Sequence, residues 1–140
     1  VFAQNSAESR LRAHFQGVRI LLAEDEPINQ EVSRGLLEDV GLAVDLAEDG
    51  LEAVALAKQS SYALILMDIQ MPHLNGLDAA RSIRTESLNT GTPILAMTAN
   101  AFDDDRQLGI DAGMVDHIGK PVDPDVLFET LLKWLSTTPA

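Results

Sequence analysis

Five polar side chains stand where apolar runs stop. Asp68 follows "ALILM" (63–67), Glu24 and Asp25 follow "VRILLA" (18–23), Thr98 ends "PILAMT" (93–98), and Lys120 follows "VDHIG" (115–119). A carboxylate next to apolar surface is costly unless something pairs with it. Each of these residues is therefore either a solvated strand end or a placed reagent. Singly, acids, threonines and lysines are common where strands meet loops. On one rim they would bring together three carboxylates, one hydroxyl and one ammonium. Two carboxylates about 4 Å apart repel by up to roughly 4 kcal/mol at an effective dielectric near 20. Protonation or a cation relieves that repulsion. Mg2+ suits such a place: it prefers oxygen ligands and takes one or two carboxylates plus phosphate. With the ion present, Asp68 stays ionised and can attack phosphorus to give an acyl phosphate. Lys120 and Thr98 can then contact the phosphoryl oxygens as charge and hydroxyl donors.

The elements around these residues must place them on that rim. "VRILLA" (18–23), "ALILM" (63–67) and "PILAMT" (93–98) read as buried strands, "LAVDLAE" (42–48) alternates as a strand should, and "VDHIG" (115–119) is a weaker fifth. Helices are expected over 27–41, 50–60, 76–85, 101–113 and 123–136. Pro27 suits a first helical position, Gly41 a C-terminal stop, and Asp123 a cap before Pro124. On the first of these helices Ile28, Val32, Leu36 and either Leu37 or Val40 form an apolar stripe. On the second, Leu51, Val54, Ala55 and Leu56 are expected to face inward. Five alternations of strand and helix imply a parallel sheet with helices on both faces. The common order for five strands is 2-1-3-4-5, a flavodoxin-like doubly wound sheet. Ligands then bind outside the carboxyl ends of strands 1 and 3, where the winding reverses.

Residues 1–17 read as a linker or lead-in, or the frayed end of an upstream helix, and 18–137 as one domain. The 140-residue length fits one domain with a sizeable core. A net charge of −12 argues against this domain gripping nucleic acid, which needs a basic surface. No apolar run approaches the 18 or so residues of a membrane span. The absence of cysteine excludes disulfide and thiol chemistry and is compatible with a cytoplasmic chain. The chain begins at Val1, as a fragment or processed product would.

The motifs "LLAEDEPIN", "LILMDIQMPHLNGLDA", "PILAMTANA" and "AGMVDHIGKPV" resemble, in order and spacing, the receiver domain of two-component response regulators. "MTANA" and "DAGMVDHIGKPV" look most like receivers fused to hybrid sensor histidine kinases. The resemblance implies that Asp68 is the phosphoacceptor. It implies that Asp25 binds Mg2+ directly, that Glu24 acts largely through water, and that the backbone carbonyl of Gln70 completes the protein ligands. Thr98 becomes the switch hydroxyl and Lys120 the phosphate-pairing ammonium. Gln70 and Asn100 occupy positions that tune phosphoryl lifetime, and the Lys120–Pro121 bond is expected to be cis. His117 stands at the switch position, where Tyr or Phe is typical. The implied partner is a histidine kinase or a histidine phosphotransfer protein, with Ile28, Pro121 and Val122 on the docking rim. The oligomeric state is left open.

Three other functions compete. A hydrolase of the aspartyl-phosphate kind usually has a second acid two residues after its nucleophile, where this chain has Gln70. A flavin carrier would offer hydroxyls and glycines after strand 1, where "AEDEP" would repel a phosphate. An unphosphorylated scaffold would not need the intact acceptor, acids, Thr and Lys together. His14 and His73 read as solvated, and "DDDR" (103–106) as an acidic helix start. Phe128 and Trp134 read as core or interface anchors.

Overall fold

The computed structural model describes residues 7–69, 71, 73–98, 109–120 and 122–137. Five strands, β1 (Arg19–Ala23), β2 (Ala43–Ala47), β3 (Leu64–Asp68), β4 (Ile94–Thr98) and β5 (Asp116–Gly119), form one parallel sheet in the order β2-β1-β3-β4-β5. The helices are α1 (Ala7–His14), α2 (Pro27–Asp39), α3 (Gly50–Gln59), α4 (Gly76–Glu86), α5, described over 109–111, and α6 (Pro124–Thr137). This is the expected flavodoxin-like topology with one helix more than the five anticipated. The extra helix is α1, inside the lead-in.

Strand alternation divides the core into two layers. Leu21, Ile65, Met67, Ile94 and Ala96 pack with Ala53 and Ala57 of α3 and Ala79, Ala80 and Ile83 of α4. Leu22, Leu64, Leu66, Leu95 and Met97 pack on the other face with Leu37 of α2 and Leu127, Phe128 and Leu131 of α6. Each such fully buried Leu or Ile contributes about 2 kcal/mol relative to an exposed one. Leu11 of α1, 0% exposed, joins the second layer. Arg12 Nε also donates to Asp39 O at 3.1 Å, tying α1 to the end of α2.

Local chemistry sets the helix limits. Glu26 caps α2 by accepting from Asn29 N at 2.8 Å, with Pro27 at the first position. Gly41, at φ +89°, takes the left-handed conformation that lets the chain leave that helix. Asp49 caps α3, Asn75 caps α4, and Asp123 accepts from Asp125 N at the start of α6.

The apolar stripe of α2 is divided, with Ile28 exposed as expected of the docking rim, and the expected inward face of α3 is corrected. On α2, Ile28 is 70% and Val32 49% exposed, whereas Ser33, Leu37 and Val40 are buried. On α3, Leu51 is exposed and Ala55 also faces solvent, while Ala53 and Ala57 are buried and Val54 and Leu56 half-buried. On α3 the small Ala53 and Ala57 let the backbone approach the sheet while Leu51 turns outward, and on α2 Leu37 and Val40 fill the core beside Ser33.

Candidate functional site

The carboxyl edge of the sheet gathers the residues singled out from sequence. Asp68 is the last residue of β3, Thr98 the last of β4, Glu24 and Asp25 follow β1, and Lys120 follows β5. Each of Glu24, Asp68 and Lys120 lies two residues beyond a member of the α2/α6 layer, namely Leu22, Leu66 and Ile118. Alternation therefore delivers all three to one side of the sheet. Thr98 lies two residues beyond Ala96, in the other layer, and reaches the rim from the opposite side.

Lys120 is the hub. Its Nζ donates to Asp68 Oδ2 at 2.7 Å and lies 2.8 Å from Glu24 Oε1. Its backbone N–H donates to Thr98 O at 2.8 Å, which locks the exit of β5 to the end of β4. Glu24 is 0% and Asp68 5% exposed, so both carboxylates sit largely out of water. Burial drives the Glu24 pKa up; Lys120 opposes this, and the neighbouring Asp68 adds to it. Burial also works to lower the Lys120 pKa, but the Asp68 and Glu24 carboxylates outweigh it and hold the ammonium above its usual range.

Asp25 is exposed, and its carboxylate joins those of Glu24 and Asp68: one oxygen from each lies within 4.8 Å of the others. Glu24 Oε1 is buried and makes no aligned hydrogen bond despite the nearby ammonium. Three hard oxygen donors, one of them buried and underused, fit a small divalent cation.

Two glycines make the geometry possible. A Cβ on Gly76 would collide with the carbonyl oxygen of Asp68, and one on Gly50 with that of Leu74. The start of α4 thus rests directly on the end of β3, where Gly76 N donates to Ile69 O at 2.9 Å.

His117 pairs in register with Ala96, and Gly119 with Thr98. His117 and Thr98 therefore share a face of the sheet, one strand repeat apart. His117 lines a cavity of about 70 Å³ with Ala96, Ile110 and Met114. Its backbone N–H donates to Asp116 Oδ1, and Asp116 Oδ2 accepts from the Trp134 indole at 2.8 Å. Gln70, Asn100 and Pro121, hence the bond following Lys120, lie outside the described residues, as does the run 103–106. His14 is exposed at the end of α1, and His73, also exposed, has Nδ1 2.7 Å from Asp49 Oδ2. Phe128 is core, and Trp134 is the half-buried anchor just described.

Sequence reasoning missed Arg84 and Asn89. Arg84 donates from Nε and Nη2 to Gly113 O and from Nη1 to the carbonyls of Thr90 and Thr92. Asn89 is 1% exposed and ties the chain around Ala57, Ser60 and Tyr62. A lone Asn in a loop and a lone Arg on a helix carry no pattern that would distinguish them from solvated residues.

Comparison with known proteins agrees with this geometry. A hybrid signal transduction histidine kinase I from Dictyostelium discoideum is 38% identical over 120 residues, which is 81% of this chain and only 7% of that protein. The receiver domain of the sensor histidine kinase PA1611 from Pseudomonas aeruginosa, solved with a magnesium ion coordinated in its active site cleft, superposes with a TM-score of 0.82 at 40% identity, covering 86% of this chain and 99% of that one. The Ssk1 receiver domain from Saccharomyces cerevisiae, solved in complex with the histidine phosphotransfer protein Ypd1, matches with a TM-score of 0.79 at 30% identity, over 86% of this chain and 90% of that one. The family model for the response regulator receiver domain matches residues 20–132. This chain belongs to the response regulator receiver domain family.

Proposed function

We propose that the chain takes a phosphoryl group from a phosphohistidine onto Asp68, changes conformation, and then passes the group on or loses it to water. The observation that carries this reading is the bridge of Lys120 between Asp68 and Glu24 on the rim where the strands end. In the transfer, a carboxylate oxygen of Asp68 attacks phosphorus and the P–N bond to the donor imidazole breaks. The electron pair of that bond stays on the imidazole nitrogen. Mg2+, held by Glu24, Asp25 and Asp68 with the Gln70 carbonyl, would neutralise charge on the phosphoryl oxygens. The chain's own groups do the rest. Lys120 moves from carboxylate pairing to a phosphoryl oxygen, and the Thr98 hydroxyl donates to another. His117, sharing a face with Thr98, occupies the position from which an inward swing would follow that movement.

The partner is a histidine kinase or a histidine phosphotransfer protein. Ile28 and Val32 lie one turn apart on α2, the helix that starts beside the acidic pair, and both are exposed. They suit the apolar patch a docking helix would cover. The likeness to the receiver in complex with Ypd1 supports that choice, and the net charge of −12 speaks against nucleic acid. No helix among the described residues is long and apolar enough to cross a membrane. We place the domain in the cytoplasm; the match to part of a hybrid histidine kinase supports a parent protein of that kind, with a stand-alone receiver as the alternative.

Incubation with Mg2+ and a small phosphodonor should add one acid-stable, base-labile phosphoryl group. Asp68→Asn should abolish it; equal labelling of that variant would place the acceptor elsewhere. Ile28→Glu should weaken transfer from a protein donor and spare labelling by the small phosphodonor.

A further inference from the structure

Asp25 poses a positional problem. It is exposed, and among the described residues its side chain accepts no hydrogen bond. Nothing at the side chain itself fixes where its carboxylate points. Its position is inherited from the peptide plane that joins it to Glu24. The nitrogen end of Glu24 is fixed by its N–H, which donates to Ala47 O at 3.0 Å. Its carbonyl is fixed by Gln30, whose Nε2 donates to Glu24 O at 2.7 Å. Gln30 is half-buried on the first turns of α2, and its own N–H is bonded to Glu26 O. That helix is in turn capped by Glu26 and begun by Pro27. The amide of Gln30 thus holds the loop peptide against a rigid helix.

We propose that Gln30 is a positioning residue for the cation site: by clamping the Glu24–Asp25 peptide it presets the Asp25 carboxylate toward Glu24 and Asp68. This inference rests on the Mg2+ site of the proposed function. A ligand that must be ordered on binding loses affinity, and partners that orient metal ligands are typically worth about 10- to 100-fold in metal affinity. The clamp requires a donor, because its target is a carbonyl oxygen. Glu fills a similar volume but has no donor when ionised, and Met is of similar length and has none.

The charge of the substitutes separates positioning from a field effect. If Gln30 acted only through the local potential, Gln30→Glu would add a negative charge near the cation and tighten Mg2+ binding, and Gln30→Met would change little. A positioning role predicts that both variants weaken it, by roughly tenfold. The experiment is calorimetric titration of the parent chain, Gln30→Met and Gln30→Glu with MgCl2. Alongside it, NMR of the metal-free proteins follows the Asp25 amide and, as a check on folding, the amides of β3 and β4. The expected result is a weaker Mg2+ constant in both variants. The Asp25 amide should shift while β3 and β4 are unchanged. Binding within twofold of the parent in both variants, or tighter binding in Gln30→Glu, overturns the positioning role and leaves the receiver function standing. A parent chain that takes up no Mg2+ at millimolar concentration overturns the cation site, and this inference with it.

Discussion

Lys120 Nζ donates to Asp68 Oδ2 at 2.7 Å, joining residues 52 apart in the chain at the exits of β3 and β5, the two strands that flank β4. The same ammonium faces a Glu24 carboxylate that no solvent reaches. Removing one member of a buried ion pair leaves the other uncompensated, at a typical cost of about 3 kcal/mol. Lys120→Met should lower stability by that amount in urea unfolding without Mg2+. The gap should narrow as Mg2+ is added, because the ion takes over part of the ammonium's neutralising role. Equal midpoints for parent and variant in the absence of Mg2+ would mean that the bridge is not a stabilising contact.

Tyr62 is the chain's single tyrosine and donates its hydroxyl to Asp45 Oδ2 at 2.7 Å. Burial, reinforced by that carboxylate, pushes the phenol up to about 12. The sign of the pH effect follows. Below pH 10 the phenol is protonated in both states; between 10 and about 12 the unfolded chain loses its proton and the folded one keeps it. Stability is therefore intact below pH 10 and is lost as pH rises through about 12. The thermal midpoint should fall more steeply with pH in that window than it does in Tyr62→Phe. Parallel slopes for the two proteins would argue against a buried, paired phenol.

Asn89 is a buried amide with every role filled. Its Nδ2 donates to Ala57 O and Ser60 O, and its Oδ1 accepts from Tyr62 N and the Thr92 hydroxyl. Asn89→Ala strands several of those groups at about 1–3 kcal/mol each, with water relieving part of it. A net loss of about 3 kcal/mol is expected, equivalent to roughly 10 °C in thermal midpoint. A calorimetric scan checks this, and a shift below 2 °C would show that solvent replaces the network.

Leu11 anchors α1 against α6 and the second core layer. Leu11→Ala should cost about 2 kcal/mol, at the lower end for a core leucine because a terminal helix can undock before the domain unfolds. Hydrogen exchange should quicken in α1 and in the Leu131–Leu135 part of α6, while β1 and β3 stay protected. Unchanged exchange in α1 would mean that the helix does not depend on that anchor.

Much of this molecule is legible in its residues. Runs such as "RILLA" and "LILMD" are apolar on both sides, so they must be covered by helices on both faces, and alternation with helices makes them parallel. Parallel strands all end on the same edge, which is why Glu24, Asp68, Thr98 and Lys120 could be assigned to one rim before any coordinates. The cap at Asp123 is equally local, since a side-chain oxygen meets an N–H two residues on; the caps at Asp49 and Asn75 work in the same way but are not singled out from sequence.

The tertiary structure decided what depends on distant neighbours. Periodicity allows α2 two overlapping stripes, one through Ile28 and Val32 and one through Ser33, Leu37 and Val40. Only the tertiary packing selects the second, since Leu37 and Val40 join the core layer against the sheet while Ile28 and Val32 stay exposed. The apolar cluster of the lead-in, Leu11, Ala13 and Phe15, is compatible with either a linker or the end of a helix; Leu11 is buried because α6 supplies a complementary surface. Asn89, Arg84 and Gln30 are invisible in sequence for a common reason. Each satisfies backbone groups that are left over where elements meet, and which groups are left over is fixed only once the chain has folded.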